Sequence, residues 1–136
     1  MSETTSVPTP GLNRPGLLTA TKVVAVLFAA LVLLQAFIAG RGWFKDFDLI
    51  DTHGQIGQGV LLVAVVQSAL AFLVFGARRW PAIVSAVLLV LTALQLSLGY
   101  ASEDSSTAAS LHIPNGVLIF GLATVFAASV VRVAPR

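Results

Sequence analysis

The sequence predicts an all-α protein, a transmembrane bundle of four helices that run up, down, up and down. The prediction depends first on four uncharged stretches, each close to or above the roughly 20 residues that cross a hydrocarbon layer. They cover residues 23–40, 52–77, 80–102 and 105–131. It depends also on composition, because 57% of the 136 residues are hydrophobic and only 10% are charged. Four spans with their turns use nearly the whole chain, which leaves room for one domain.

The helices are expected at about 17–40, 52–77, 80–101 and 108–132, within one membrane domain over residues 17–136. Residues 1–16 are rich in Pro, Ser and Thr and predict a flexible cytoplasmic tail. The first stretch could instead be a secretory signal, but it exceeds the usual apolar length of about 7–15 residues and no Ala-x-Ala site follows it. We therefore expect it to remain as a helix. Pro114 fits a first helical turn and is expected to mark where the fourth helix begins.

Charge placement predicts the orientation of the bundle. Six of the eight basic residues flank the spans on one side, which should be cytoplasmic. They are Arg14, Lys22, Arg78, Arg79, Arg132 and Arg136. Five of the six acids, Asp46, Asp48, Asp51, Glu103 and Asp104, lie on the other side. Both termini are therefore expected in the cytoplasm. The pI near 9.7 reflects the flanking cations, and no nucleic-acid partner is expected.

The two halves of the chain have the pattern of a duplicated helical hairpin. The first half carries Gln35, His53 and Gly57, and the second carries Gln95, His112 and Gly116. Glutamine and histidine are 18 residues apart in one half and 17 in the other, and each glycine follows its histidine by four residues. This internal duplication would place the only two histidines at equal depth near the outer face.

A bundle with short loops places its second and fourth helices diagonally, so the two histidines can face each other. Two imidazoles across a bundle core can bind one b-type haem iron from both sides. Gly57 and Gly116 lie one turn deeper on the same helix faces and would give clearance for the porphyrin. The second ring nitrogens need acceptors, which backbone carbonyls, Asp51, Gln95 or Asn115 could supply.

Each of these residues also has a simpler interpretation. A histidine at a membrane interface is often only an anchor, and small residues often only allow helices to pack closely. Gln35 and Gln95 could be hydrogen-bond partners between helices instead of ligand contacts. The acids near His53 could form a cation site, although solubility and topology explain them equally well. Because the chain contains no cysteine, thiolate metal sites, disulfides and covalent c-type haem are excluded.

The segment Leu94-Gln95-Leu96-Ser97-Leu98-Gly99, followed by Leu111-His112, resembles one four-helix half of the haem A synthase family. It also resembles small four-span bacterial membrane proteins of uncharacterised function. The resemblance covers roughly residues 23–131 and implies haem ligation by His53 and His112 in a bacterial cytoplasmic membrane. The chain departs from the family in having one half, Ile50 where a glutamate usually stands three residues before a histidine, and no cysteines in its loops. The resemblance therefore implies the haem fold without the hydroxylation chemistry.

These observations predict a bis-histidine haem protein in electron transfer, haem handling or redox sensing, and not an enzyme, because both axial positions are filled. The expected partners are the lipid bilayer and a homodimer, a larger respiratory membrane complex or a quinone. The alternative is an accessory subunit without a cofactor. A transporter is less favoured, because no ionisable residue lies in the middle of a span.

Overall fold

The protein is a bundle of four α-helices, as predicted. The computed structural model describes residues 15–77 and 79–134, and these contain no strand. The helices are α1 (Pro15–Phe44), α2 (Asp48–Phe75), α3 (Trp80–Ala101) and α4 (Ser106–Val131). Of the expected tail, only Pro15 and Gly16 are described, and they open α1. Residues 1–14 lie outside the described part of the chain.

Each helix packs against two others, in the cyclic order α1, α2, α3, α4 and back to α1. The backbones of the diagonal pairs, α1 with α3 and α2 with α4, stay farther apart, with no Cα atoms of the described residues within 8 Å of each other. The short turns force consecutive helices to run antiparallel. α2 and α4 therefore lie across the core from each other, as the sequence predicts. We call the end of the bundle where α1 and α3 finish and α2 and α4 begin the histidine end.

All four helices are long and apolar enough to cross a membrane, with 30, 28, 22 and 26 residues. Many large apolar side chains of these helices are exposed, among them Val23, Phe37, Leu62, Val90 and Val125. Exposed apolar helix faces of this extent are stable in lipid and not in water. The chain is a multi-pass membrane protein.

The core is built mainly from small side chains, with a few large ones between them. Ala25, Ala64 and Ala123 are fully buried, and Phe28 and Phe126 fill the space that they leave. In lipid there is little hydrophobic gain from bringing helices together, so close backbone approach and dispersion contacts stabilise the bundle. Alanine at these positions allows that approach.

Pro114 does not mark the beginning of α4, so that expectation is wrong. The helix begins at Ser106, because the Ser105 side chain accepts a hydrogen bond from the Ala108 amide at 3.2 Å and caps the first turn. Pro114 lies inside the helix. Having no amide hydrogen, it cannot bond to the Ser110 carbonyl one turn back. Pro is tolerated within a membrane helix where other groups satisfy the freed carbonyl.

The loop between α1 and α2 is shorter than the sequence indicates. Asp48 and Asp51 belong to the first turn of α2, where a carboxylate is stabilised by the helix dipole. The turn is tight because Gly42 of α1 lies against Ile50, whose Cδ1 would be 2.9 Å from a Cβ at that glycine. At the opposite end, Lys22 of α1 donates a hydrogen bond to the Val133 carbonyl at 2.7 Å. This contact joins α1 to the end of α4 and closes the ring of helices.

Gln67 is the one large polar side chain in the described core that is fully buried with neither amide atom hydrogen-bonded. Its neighbour Ser68, in contrast, donates to the Ser85 carbonyl on α3 at 2.8 Å. A buried amide without a partner costs about 1–3 kcal/mol. The bundle therefore keeps Gln67 at the expense of its own stability.

We expect Gln67→Met, which keeps the side-chain length and removes the amide, to raise the free energy of unfolding by about 1–2 kcal/mol. Denaturation by sodium dodecyl sulfate in mixed micelles measures the change. Ser68→Ala is the control and should lower stability, because it removes the hydrogen bond to the Ser85 carbonyl. A loss of stability in Gln67→Met would show that the amide is paired.

Candidate functional site

The two histidines meet at the histidine end of the bundle. His53 lies in the second turn of α2 and His112 in the second turn of α4, and both are half-buried. Their ring centroids are 6.1 Å apart, and the ring planes are turned by 70° from each other. The diagonal arrangement of α2 and α4 thus brings together two residues that are far apart in the sequence.

Each ring is held by the helix that precedes its own in the sequence. The Nδ1 atom of His53 lies 3.1 Å from the Gln35 carbonyl oxygen on α1. The Nδ1 atom of His112 lies 3.1 Å from the Gln95 carbonyl oxygen on α3. Because a carbonyl only accepts, both Nδ1 atoms carry the hydrogen and donate it. In the neutral rings both Nε2 atoms therefore keep a free lone pair, which is the form that binds a metal.

The two glutamine side chains lie over the two glycines. A Cβ at Gly57 would be 3.1 Å from the Gln35 Nε2 atom, and one at Gly116 would be 3.2 Å from the Gln95 Nε2 atom. Both distances are shorter than ordinary van der Waals contact. The glycines therefore open space that the glutamine amides occupy in this structure. Their role as clearance for a porphyrin remains a prediction.

The polar contacts of the two halves differ at the glutamines. The Nε2 atom of Gln35 donates to the His53 backbone carbonyl at 2.9 Å, while its Oε1 atom is buried and has no hydrogen-bond partner. The Oε1 atom of Gln95 instead accepts from Asn115 at 2.7 Å, and Asn115 also donates to the Leu91 carbonyl at 3.1 Å. The halves are thus similar around the rings and different one turn deeper.

The separation of the ring centroids is compatible with two imidazole ligands on one metal ion, and equally with an edge-to-face contact of two aromatic rings. A metal–imidazole nitrogen bond is about 2 Å long. With about 1.1 Å from nitrogen to ring centre, two imidazoles on opposite sides of one ion have centroids about 6 Å apart. The observed 6.1 Å agrees with this separation. A 70° turn is also compatible, because trans ligands share only the bond axis and can rotate about it.

The sequence offered several acceptors for the second ring nitrogens. Of these, the backbone carbonyls are the ones that the rings contact. Asp51 is exposed and Asn115 contacts Gln95, so neither side chain holds a ring. The structure adds Gly99, where a Cβ would be 3.2 Å from the His112 Cε1 atom. It also adds Leu96, whose Cδ1 would be 3.5 Å from a Cβ at Gly57. Gly99 ends the segment that resembles the haem A synthase family, but the sequence alone did not show that it lies against a ring.

The two histidines are the donor pair of this candidate site. Within residues 15–77 and 79–134, no three His, Cys, Asp or Glu side chains come together. No family model, curated protein or solved structure matches the chain.

We expect Gly57→Ala to be less stable than Gly121→Ala by about 1 kcal/mol, because the new Cβ presses on the Gln35 amide and weakens its bond to the His53 carbonyl. Gly121 is a matched control, since it is exposed within α4 and nothing lies within 4 Å of its Cβ position. Both changes share the gain in helix propensity. Unfolding in mixed micelles measures the difference, and equal stability of the two variants would contradict the contact.

Proposed function

We propose that this protein binds one b-type haem between His53 and His112 and serves electron transfer, haem handling or redox sensing. The observation that carries the proposal is the 6.1 Å separation of two rings whose Nδ1 atoms are anchored on opposite sides of the bundle. The hydrogen bonds of the rings to the Gln35 and Gln95 carbonyls orient both rings before any ligand binds. A preorganised pair of donors loses less conformational entropy on binding than two mobile side chains.

His53 and His112 would hold the haem iron through their Nε2 atoms. Haem would supply an iron that gains and loses one electron. The Nδ1 hydrogen bonds to the Gln35 and Gln95 carbonyls fix each ring orientation and make each Nε2 atom a better donor. A haem held by His53 and His112 together would keep no position open for oxygen or substrate, so no catalytic residue is assigned.

The proposed location is the bacterial cytoplasmic membrane, with both termini in the cytoplasm and the histidines near the outer face. The charge pattern supports this orientation. Lys22 and Arg79 lie near one end of the bundle, whereas Asp46, Asp48 and Glu103 lie at the histidine end. Basic residues are enriched on the cytoplasmic side of membrane proteins.

A redox centre at one end of the bundle needs a partner to move electrons across the bilayer. α3 has 22 residues and is about 33 Å long. A centre beside Gln95, near the finish of α3, is therefore far from the opposite surface. A mobile quinone, a second copy of the chain or a larger respiratory membrane complex would each supply the missing step.

The second candidate function is an accessory subunit without a cofactor. The observation that favours it is that the glutamine amides already fill the space over Gly57 and Gly116. In that case the ring hydrogen bonds would serve only to join α1 to α2 and α3 to α4. Loss of a histidine would then destabilise the bundle without changing any absorption.

We expect the protein purified from haem-replete cells to show a Soret band and sharp reduced α and β bands. His53→Ala and His112→Ala should each lose them, because each removes one axial ligand. Thr124→Ala is the control, since its hydroxyl bonds only to the Phe120 carbonyl of its own helix. A colourless folded protein, or full haem occupancy in both histidine variants, would overturn the proposal.

We expect Gly116→Leu to lower haem affinity by about tenfold or more, because the new side chain would fill the space one turn below His112 and press on the Gln95 side-chain amide that lies over the glycine. Gly121→Leu on the same helix should bind haem normally. Titration of the apoprotein with haem measures both affinities. Equal affinities would show that the space over Gly116 does not affect the site.

A further inference from the structure

The exposed face of α1 changes character towards the histidine end. Leu34 and Phe37 are exposed within the span. Arg41 and Lys45 follow Phe37 at successive intervals of four residues, and both are exposed. Residues three or four apart lie on one face of a helix, so these four form a single stripe. We call Leu34, Phe37, Arg41 and Lys45 the α1 stripe, which is apolar within the span and ends in two cations.

The turn after α1 places two acids beside these cations. The Arg41 carbonyl accepts hydrogen bonds from the Lys45 amide at 2.9 Å and from the Asp46 amide at 3.3 Å, which keeps Asp46 at the helix end. Asp48 follows two residues later and begins α2. Both acids are exposed, and among the described residues neither forms an ion pair with Arg41 or Lys45. Two cations and two carboxylates thus lie together without neutralising each other.

Arg41 is exposed at about the depth of the histidine rings. The preceding residue, Gly40, corresponds to Gly99 in the repeat, and Gly99 lies against the His112 ring. An arginine on a lipid-facing helix surface is stabilised when its guanidinium extends to an anion or to water at the headgroup level. The anions at that level are the phosphates of phospholipids.

The second hairpin lacks this arrangement and provides a matched comparison. The two histidines are 59 positions apart, and the same interval leads from Arg41 to Tyr100 and from Lys45 to Asp104. The end of α3 therefore offers a hydroxyl and a carboxylate where α1 offers two cations. The cation pair belongs to the first hairpin alone and is not a requirement of the bundle.

We propose that the α1 stripe and the turn after it bind one phospholipid whose headgroup carries a primary amine. Arg41 and Lys45 hold the phosphate, because long cationic side chains one turn apart can converge on one anion. Asp46 and Asp48 accept hydrogen bonds from the headgroup ammonium. Phe37, one turn deeper than Arg41, contacts an acyl chain.

The order of the charges selects this lipid class over others that also carry a phosphate. From the span outward, α1 and its turn present apolar, cationic and then acidic side chains. An amine-bearing phospholipid presents its acyl chains, phosphate and ammonium in the same order. A lipid with only negative charge would be repelled by Asp46 and Asp48, and a quaternary ammonium has no hydrogen to donate to them.

The lipid site does not depend on haem. The α1 stripe is exposed, whereas the two histidine rings bond to the Gln35 and Gln95 carbonyls between helices. Lipid binding and haem binding can therefore succeed or fail separately.

Quenching of tryptophan fluorescence by brominated lipids tests the site in reconstituted membranes. The two natural tryptophans, Trp43 and Trp80, are changed to Phe, and Phe37→Trp places a reporter on the α1 stripe. Each intensity is normalised to unbrominated lipid with the same headgroup. We expect brominated phosphatidylethanolamine to bind beside the reporter about threefold more tightly, or more, than brominated phosphatidylcholine or phosphatidylglycerol. Equal quenching by the three lipids, or stronger quenching by either of the others, would overturn the proposal.

A second reporter separates a bound lipid from general contact with the bilayer. Val117→Trp, in the same background, lies on the exposed surface of α4. Ser110 and Ile113 lie nearer the histidine end of that helix and carry no charge. This reporter should be quenched equally by the three lipids. A preference for phosphatidylethanolamine as strong as that at Phe37→Trp would show that the α1 stripe is not its source.

Neutral variants of the cations test the phosphate contact. Arg41→Gln with Lys45→Gln should lower the relative binding constant for phosphatidylethanolamine by about threefold or more, because both phosphate partners are lost. Arg79→Gln with Arg132→Gln removes the same charge from the opposite end of the bundle and should leave the preference unchanged. If the first pair of changes also left it unchanged, the phosphate would not be held by Arg41 and Lys45 and the proposal would fail.

Neutral variants of the acids test the amine contact. Asp46→Asn with Asp48→Asn keeps the two cations and removes the negative charge that receives the ammonium. The preference should then move from phosphatidylethanolamine to phosphatidylglycerol, because the site becomes positively charged. An unchanged preference for phosphatidylethanolamine would overturn the assignment of the headgroup.

Discussion

The hydrogen bond from each histidine ring to the carbonyl of the preceding helix is the contact on which the candidate site depends. It joins α1 to α2 through His53 and Gln35, and α3 to α4 through His112 and Gln95. A helical carbonyl has a second lone pair, so it can accept this bond without losing its bond within the helix. Each bond also fixes which ring nitrogen carries the hydrogen. The pairing of the helices and the orientation of the rings thus have the same cause.

The membrane determines how the remaining polar groups are arranged. Hydroxyls such as those of Thr21 and Thr92 bond to carbonyls of their own helix, so they need no partner elsewhere. Glutamines are too long to do this easily, and they carry both donors and an acceptor. Four of the glutamines therefore differ in what they contact. Gln35 and Gln95 bond across helices, Gln67 is buried without a partner, and Gln55 is exposed without one.

The sequence predicts the four helices and the diagonal placement of α2 and α4 well. The lengths of the apolar spans and of the loops between them can be read directly from it. It also identifies the histidine, glutamine and glycine of each half through their matched spacing. The partner of each ring was not determined, because a backbone carbonyl has no signature in the sequence. The position of Pro114 was misjudged because the Ser105 cap, two turns earlier, begins the helix. The contact of Gly99 with the His112 ring depends on packing angles that spacing does not define.

Comparison of the two halves shows which residues around the rings are shared and which positions differ. The histidine, the glutamine beside it and the glycine one turn deeper are the same in both halves, and so are the 3.1 Å bonds of the rings. Other positions differ, including Gly54 and Ile113 directly after the two histidines. Ile56 corresponds to Asn115, and Gln67 corresponds to Phe126. If the shared residues served only to pack helices, other small and polar combinations would satisfy the same need, as they do at the differing positions. That both hairpins use the same three residue types around a pair of facing imidazoles is the argument for a ligand held by both.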